Sequence, residues 1–312
     1  MITEEKGKVV KGLGGLYEVR IDRTAQRLSC RAKGLLKRDE DKLLIGDLVT
    51  VTRDSDTPDG VVISAVCERK NALIRPPMAN LDYLFIVFAA KKPSPVTETV
   101  DKLIAIAEHN GITPVVVITK SDLDGGEAQK LAEIYRLAGL PTFVTSSETD
   151  EGVGELSDYV RAEIRDGRTA AFAGASGVGK STLMNSLFPS LTLATAEISR
   201  KIERGRHTTR HVEIFDIEPQ DGAEVGFLAD TPGFSLIDFA RFDFFELKDL
   251  FSTFREFLPF TGKCRYSDCS HVGEGAAECA IIKAVEEGKI SVSRHESYKS
   301  IYNVLKDKKS YG

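Results

Sequence analysis

Eight consecutive residues match the phosphate-binding pattern G-x-x-x-x-G-K-[ST]: Gly174, Ala175, Ser176, Gly177, Val178, Gly179, Lys180 and Ser181. Glycine suits such a loop because several backbone N–H groups must turn sharply and approach a polyanion closely. We expect Lys180 to reach the β- and γ-phosphates and Ser181 to place its hydroxyl on Mg²⁺. The helix predicted from Thr182 adds the partial positive charge of its N-terminus. An ordinary glycine turn is the alternative interpretation.

Two further polar turns have the residue types that read a guanine base. Asp122, in Thr119-Lys120-Ser121-Asp122, can accept both the N1–H and the 2-amino N–H of guanine, donors that adenine does not present together. The stem of Lys120 can cover the base. The turn Thr145-Ser146-Ser147 could offer a backbone N–H to the guanine O6. Each turn alone occurs in many unrelated proteins, so the prediction depends on the set.

Two segments after the glycine loop could sense a γ-phosphate. In Asp230-Thr231-Pro232-Gly233, the Asp230 carboxylate can hold Mg²⁺ through water and the Gly233 N–H can meet the γ-phosphate. The basic segment 199–211 contains Thr208 and Thr209, and either hydroxyl could complete the Mg²⁺ shell when a γ-phosphate is present. That behaviour would make the segment a switch. The alternative is a solvated loop.

A cluster of thiols and an imidazole near the C-terminus indicates a metal site. Its members are Cys264, Cys269, His271 and Cys279, in the order C-x4-C-x-H-x7-C. Three thiolates and one imidazole fit a closed tetrahedral zinc site, and a structural role is favoured because protein ligands fill all four positions. Unrelated buried cysteines are the alternative.

The elements that must position these residues follow an alternating pattern. Between Leu81 and Ala173, apolar runs alternate with amphipathic stretches of helix length, which predicts βαβ units on a doubly wound, mainly parallel sheet. Ligands of such sheets bind beyond the carboxyl ends of the strands. Because each polar turn follows an apolar run, we expect the turns to share one pocket. The fold class is therefore α/β.

The first 72 residues have a different hydrophobic pattern. Five short runs of alternating polarity between residues 8 and 66 predict a small closed β-barrel of the OB type, whose face binds oligonucleotides in many proteins. Between Lys6 and Arg38 there are ten Lys and Arg against two acids, although the whole chain carries a net charge of −5. The basic excess favours RNA binding over a spacer role for the barrel.

Composition also bears on membrane association, export and disulfide bonding. The apolar runs are far shorter than the roughly 20 residues of a membrane span, so no membrane association is expected. The N-terminus lacks the features of a signal peptide, which predicts a cytoplasmic protein. Five cysteines without an export signal do not indicate a disulfide framework.

The order of the motifs is unusual, because the guanine-reading turns precede the glycine loop. Circular permutation explains this order, since a sheet survives when the old termini are joined and the chain is cut at a surface loop. The cut falls after Asp230–Gly233, so the region beyond residue 238 is covalently attached to the proposed nucleotide sensor.

With these features in sequence, the chain resembles the RsgA (YjeQ) family of circularly permuted GTPases over essentially its whole length. The residues that carry the resemblance are G-A-S-G-V-G-K-S at 174–181, T-K-S-D at 119–122, G-R-H-T-T at 205–209, D-T-P-G at 230–233 and C-R-Y-S-D-C-S-H at 264–271. The corresponding domains would be an OB-fold RNA-binding domain at 1–72, a permuted GTPase domain at 73–238 and a zinc-binding helical domain at 239–312. The x7 spacing before Cys279 exceeds the expected x5 and makes this residue the least secure ligand.

The resemblance implies a GTPase of late small-subunit ribosome assembly, whose weak hydrolysis the small ribosomal subunit and its rRNA stimulate. Phe234 stands where many GTPases carry a water-orienting glutamine, so slow intrinsic turnover is expected. The resemblance makes His207 the candidate for positioning the water, and a monomer is expected. Two alternatives remain: a permuted GTPase acting on the large subunit or another RNA, and an RNA-binding module whose nucleotide only stabilises the fold.

Overall fold

The computed structural model describes residues 2–33, 42–54, 61–189, 212–217, 224–230, 239 and 241–309. The chain divides into two compact units. Unit one comprises Met1–Tyr83, Tyr159–Phe172 and Phe188–Gly233, and unit two comprises Leu84–Asp158, Ala173–Leu187 and Phe234–Gly312. No helix among the described residues is both long enough and apolar enough to cross a membrane.

Unit one begins with a closed five-stranded barrel of order β1-β2-β3-β5-β4, which confirms the predicted OB-type barrel. The strands are β1 (Ile2–Leu13), β2 (Leu16–Ile21), β3 (Arg27–Ala32), β4 (Leu48–Asp54) and β5 (Val61–Val66). β1 is long enough to pair with both β2 and β4, and a register shift between Val9 and Lys11 lets it bend. Inward residues of alternating positions, among them Val9, Val19, Val49 and Ile63, form the barrel core.

Unit one also contains a short hairpin and three strands of the α/β part. The hairpin consists of β6 (Ala72–Ile74) and β7 (Pro77–Ala79), and the other strands are β11 (Thr169–Ala173), β12 (Glu213–Ile217) and β13 (Gly226–Asp230). β13 pairs with β11 in parallel and with β12 antiparallel. β11 is buried along its whole length, as expected of a strand covered on both faces.

Unit two contains the strands and helices on which the guanine-reading turns lie. They are β8 (Tyr83–Ala89), α1 (Thr97–His109), β9 (Thr113–Thr119), α2 (Gly125–Leu137), β10 (Thr142–Val144) and α4 (Lys180–Leu187), together with the first part of α3 (Val153–Glu163), whose residues from Tyr159 onward belong to unit one. β9 and β10 are parallel neighbours, so their carboxyl ends lie side by side. The predicted alternation of strands and helices is thus found.

The C-terminal region of unit two differs from the prediction at its start. The domain at 239–312 was expected to be helical, and its first helices are two 3-10 helices, Leu247–Thr253 and Arg255–Phe260, rather than an α-helix. The Phe257 ring packs against the rings of Phe254 and Phe251, with centroids 5.2 and 6.0 Å apart. Two α-helices follow, α5 (Ala280–Glu286) and α6 (Val292–Lys309).

A buried ionic cluster joins three elements of unit two. The Arg294 guanidinium on α6 donates to Asp101 Oδ1 on α1 at 2.8 Å and to both carboxylate oxygens of Glu256 at 2.7 and 3.2 Å. The side chains of Arg294, Asp101 and Glu256 are 1%, 0% and 4% exposed. The Arg294 guanidinium also lies over the Phe254 ring, 4.5 Å from its centroid. Burial raises the pKa of Asp101, and the nearby Arg294 charge opposes that shift.

Candidate functional site

The glycine loop links β11 to α4, the context that the motif requires. Gly174 lies against β8: a Cβ at this position would be 2.2 Å from the Val87 carbonyl oxygen, so only glycine fits. Gly177 and Gly179 have φ of 80° and 92°. Val178 is buried and anchors the loop, whereas Ala175, Ser176, Gly177, Ser181 and Thr182 are exposed. The loop therefore has a fixed base and an open face.

The turn after β9 contacts this loop directly, within unit two. The buried Thr119 hydroxyl donates to the Val178 carbonyl oxygen. Lys120 has a left-handed backbone with φ of 57°, and its ammonium group donates to the Gly177 and Lys92 carbonyl oxygens, both at 2.6 Å. The structure thus brings together two motifs separated by more than fifty residues. The Lys120 stem passes over Gly179, with its Cε 3.8 Å from where a Cβ would be.

Asp122 and Ser146 are joined by a hydrogen bond. Ser146 is fully buried and its hydroxyl donates to Asp122 Oδ1 at 2.6 Å, while Asp122 itself is exposed. The Ser146 N–H donates to the Glu151 carbonyl oxygen, and the Thr145 N–H donates to the Ile118 carbonyl oxygen. Neither N–H can therefore meet the guanine O6 in this geometry. Ser146 acts on Asp122 through its side chain, a role that the sequence did not indicate.

Three residues near this turn were missed by sequence reasoning. Glu151 accepts a hydrogen bond from the buried Ser121 hydroxyl at 2.9 Å, in addition to the Ser146 N–H. Gly152 has φ of 67°, and a Cβ there would be 2.0 Å from the Val144 carbonyl oxygen. Lys92 contributes the carbonyl that receives Lys120. The Glu-Gly pair directly before a helix was the available signal, because a glycine at such a point suggests a tight return of the chain.

Several of the predicted residues lie outside the described part of the chain. His207, Thr208 and Thr209 belong to 190–211, and Gly233 belongs to 231–238. Asp230 ends β13, opposite Glu213 of β12. The roles assigned to these residues stay predictions.

The four metal-ligand candidates form one cluster. The three thiol sulfurs and the His271 Nδ1 all lie within 4.8 Å of one another. His271 Nδ1 is 3.6 Å from Cys264 Sγ and 3.4 Å from Cys279 Sγ, and those two sulfurs are 4.0 Å apart. A tetrahedral zinc ion with Zn–S of about 2.3 Å and Zn–N of about 2.0 Å would separate its ligand atoms by about 3.5–3.8 Å. The residues fit such an ion, and Cys279 is inside the cluster despite the long spacing.

Burial and backbone hydrogen bonds shape the chemistry of the cluster. Burial raises the pKa of Cys269 and of Cys279, and burial lowers the pKa of His271. A neutral imidazole can ligate directly, and a cation would favour the thiolate forms. The backbone N–H groups of Ala280 and Ile282 donate to the sulfurs of Cys264 and Cys279. The protein therefore offers hydrogen bonds that would stabilise metal-bound thiolates.

Glu274 organises the segment between the histidine and the last cysteine. Its carboxylate accepts the N–H groups of Ser270, Val272 and Gly273 and the Ser270 hydroxyl, at 2.8–3.2 Å. These bonds hold the pKa of Glu274 down at about 2 although its burial opposes them. His271, enclosed by these donors, has a left-handed backbone with φ of 60°. The extra length before Cys279 thus has a defined structure.

In unit one, several of the cations counted as a basic surface are used internally. Lys8 is 4% exposed and donates to the Gly167 carbonyl and the Thr169 hydroxyl, and burial lowers its pKa to about 8. Arg20, 7% exposed, pairs with Asp216 on β12 at 2.6 Å. Lys11 and Arg27 also form ion pairs with β12, to Glu213 and Asp216. The inference of a basic RNA-binding face from all ten residues was therefore partly wrong.

Comparisons with known proteins agree with this geometry. Residues 6–62 match the model of the RsgA N-terminal domain and residues 66–240 match that of the RsgA GTPase. A protein of Carboxydothermus hydrogenoformans named small ribosomal subunit biogenesis GTPase RsgA is 40% identical over 293 residues, 94% of this chain and 95% of that protein. The protein of that name from Bacillus velezensis is 36% identical over 309 residues, 97% of this chain and 98% of that protein.

Two solved structures have the same fold. YloQ, described as a circularly permuted GTPase, is 31% identical with a TM-score of 0.75, covering 98% of this chain and 96% of its own. YjeQ from Thermotoga maritima is 32% identical with a TM-score of 0.75, covering 97% and 99%. These matches confirm the circular permutation inferred from motif order and the identification of the enzyme as a GTP hydrolase. The chain belongs to the RsgA family of circularly permuted GTPases.

Proposed function

We propose that this GTPase binds the small ribosomal subunit and its rRNA and hydrolyses GTP during late maturation of that subunit, which stimulates the hydrolysis. Binding of a guanine nucleotide is supported by one observation: Thr119 and Lys120 contact the glycine loop at the carbonyls of Val178 and Gly177. The names of the relatives support the ribosomal part, since each is called a small ribosomal subunit biogenesis GTPase. The proposal also includes a cytoplasmic location and a monomeric state.

Guanine is bound between the two turns and the glycine loop. Asp122 accepts the N1–H and the 2-amino group, and Ser146 fixes the carboxylate by binding its Oδ1. Because the N–H groups of Thr145 and Ser146 are engaged, the donor to guanine O6 is Ser147, the remaining residue of that turn. The exposed loop amides and Lys180 bind the phosphates.

Hydrolysis is an in-line attack of water on the γ-phosphate. Lys180 and the loop amides stabilise the charge of the transition state, and His207 orients the water when the small subunit is bound. Ser181, Thr209 and Asp230 would hold Mg²⁺, and the ion would supply positive charge that neutralises the β- and γ-phosphates. Phe234 cannot orient a water by hydrogen bonding, so the free enzyme turns over slowly.

The domains and the metal complete the proposal. An OB-type RNA-binding domain spans 1–72, the permuted GTPase domain 73–238 and a zinc-binding domain 239–312. One zinc ion is held by Cys264, Cys269, His271 and Cys279, whose separations suit a tetrahedral site. The ion stabilises the fold of the C-terminal region and takes no part in hydrolysis.

Sedimentation with purified subunits tests the partner. In the presence of a non-hydrolysable GTP analogue, the protein should pellet with small subunits and not with large subunits, and phosphate release should accelerate only with small subunits. Co-sedimentation with large subunits instead would refute the assignment of the partner. Binding without any acceleration would identify a nucleotide-stabilised RNA-binding module. His207→Ala should abolish the acceleration while GTP binding is retained.

A further inference from the structure

The two guanine-reading turns are joined by a closed ring of contacts within unit two. Glu151 accepts the Ser121 hydroxyl on its carboxylate and the Ser146 N–H on its carbonyl, both at 2.9 Å. Ser146 donates its hydroxyl to Asp122 Oδ1 at 2.6 Å, and Asp122 is covalently joined to Ser121. Hydrogen bonds therefore connect the two turns at two places, and Glu151 takes part in two of these hydrogen bonds.

The ring fixes the Ser146 hydroxyl in one orientation. That hydroxyl donates its proton to Asp122 and accepts the N–H groups of Glu148 and Thr149 at 3.2 and 3.3 Å. A hydroxyl has one donor and two acceptor positions, so its hydrogen-bonding capacity is filled. Asp122 Oδ1 is thereby held, while the exposed carboxylate remains open to a ligand.

The backbone places Glu151 where the ring needs it. Gly152, with φ of 67° and no room for a Cβ next to the Val144 carbonyl, returns the chain against the end of β10. On the other turn, Ser121 begins the single-turn 3-10 helix Ser121–Leu123, which has no side-chain cap. The Ser121–Glu151 bond is therefore a side-chain link between this short helix and the serine turn.

We propose that Glu151 is a positioning residue for guanine recognition, which orients Asp122 toward the 2-amino group of the base by holding Ser121 and Ser146. The inference rests on the proposed role of Asp122 as the guanine-reading residue. Glu151 acts through its two neighbours, Ser121 and Ser146. Loss of the carboxylate removes one link of the ring and leaves the carbonyl link intact, so discrimination weakens while binding of the phosphates persists.

The experiment compares the dissociation constants of GDP and IDP, which lacks the 2-amino group. The wild type should prefer GDP. Glu151→Ala should lower the IDP-to-GDP ratio of dissociation constants about 3- to 10-fold, as expected for one hydrogen bond of roughly 1 kcal/mol. Glu151→Gln keeps an acceptor for the Ser121 hydroxyl and should restore the ratio to within about twofold of the wild type. Glu155→Ala removes an exposed carboxylate in the first turn of the following helix α3, outside the ring; it is the matched control and should change nothing.

Equal weakening of GDP and IDP by Glu151→Ala, or no change in either, would overturn the inference. A separate arm tests the site itself. Asp122→Asn should shift the preference from GDP to XDP, because an amide can donate to the 2-oxo group of xanthine. If that shift is absent, the assignment of the guanine site fails. If it occurs while Glu151→Ala leaves the ratio unchanged, only the role of Glu151 fails.

Discussion

Removing the buried guanidinium of Arg294 should strongly destabilise unit two. Arg294→Ala deletes three hydrogen bonds of 2.7–3.2 Å and the contact with the Phe254 ring. It leaves the carboxylates of Asp101 and Glu256 buried, 0% and 4% exposed, without their cation. Breaking a buried ion pair by removing one partner typically costs about 3–5 kcal/mol, because the remaining charge is uncompensated. We expect a loss of free energy of unfolding in this range near pH 7.5.

The loss should depend on pH. Burial already raises the pKa of Asp101, and Arg294→Ala removes the main opposing charge and leaves only the Ser297 hydrogen bond against that shift, so the pKa rises further in the variant. A carboxyl group with a raised folded-state pKa contributes stability below its unfolded-state pKa, and this contribution is lost as the pH rises through the folded-state pKa. The difference between wild type and Arg294→Ala should therefore be smaller at pH 5 than at pH 8.

Urea denaturation of metal-loaded protein measures both effects. With a slope of about 3 kcal/mol/M, the midpoint of Arg294→Ala should fall by about 1 M or more. Arg255→Ala is the matched control, because Arg255 pairs with Glu108 on the same helix α1 but is 31% exposed. Its loss should cost about 1 kcal/mol or less. If the two variants lose equal stability, or if the Arg294→Ala penalty does not change with pH, the account of a buried charge cluster is wrong.

Three further predictions follow from the geometry of single residues. Gly174→Ala should lower GDP affinity more than tenfold, because its Cβ would lie 2.2 Å from a strand carbonyl oxygen; Gly126→Ala, with ample room, should have no effect in the same titration. Glu274→Ala should weaken zinc binding about tenfold or more in competition with a chelating dye, since four donors lose their acceptor, whereas Glu278→Ala should not; equal affinities would contradict this role. Burial lowers the pKa of Lys8 to about 8, so between pH 8 and 10.5 the unfolded chain binds more protons and stability rises with pH. Over this pH range the free energy of unfolding, measured by urea denaturation, should rise by about 2–3 kcal/mol more in the wild type than in Lys8→Met. Parallel pH profiles of the two proteins would refute this prediction.

The sequence was most informative where function requires local patterns. A glycine loop between an apolar run and a helix needs no distant contact to be recognised, and the same holds for the turn at Thr119 and for the thiol cluster. The permuted order could be read because each motif carries its own signature. The pairing of Ser146 with Asp122 could not be derived, because the choice between its N–H and its hydroxyl depends on where Glu151 lies.

Buried charged side chains were the feature that could least be predicted from the sequence. Arg294 and Asp101 are 193 positions apart, and nothing in the local pattern of either residue indicates a buried ion pair. Lys8 and Arg20 looked like surface cations because charged residues are rarely buried without a partner, and their partners lie far along the chain. The 3-10 helices after residue 246 were missed because the aromatic spacing also fits an α-helix over so short a segment.

The inward cations of the barrel change what a salt titration of RNA binding would report. Each phosphate neutralised by a lysine or arginine releases counterions, which gives a log–log slope of about −0.7 to −0.9 per contact. Ten free cations would predict a slope of about −7 to −9. Lys11, Arg20 and Arg27 already form ion pairs with carboxylates of β12, and Lys8 is buried against the neutral oxygens of Gly167 and Thr169, so we do not count these four cations as phosphate contacts. If the barrel binds RNA as proposed, its electrostatic contribution should therefore correspond to a slope no steeper than about −5.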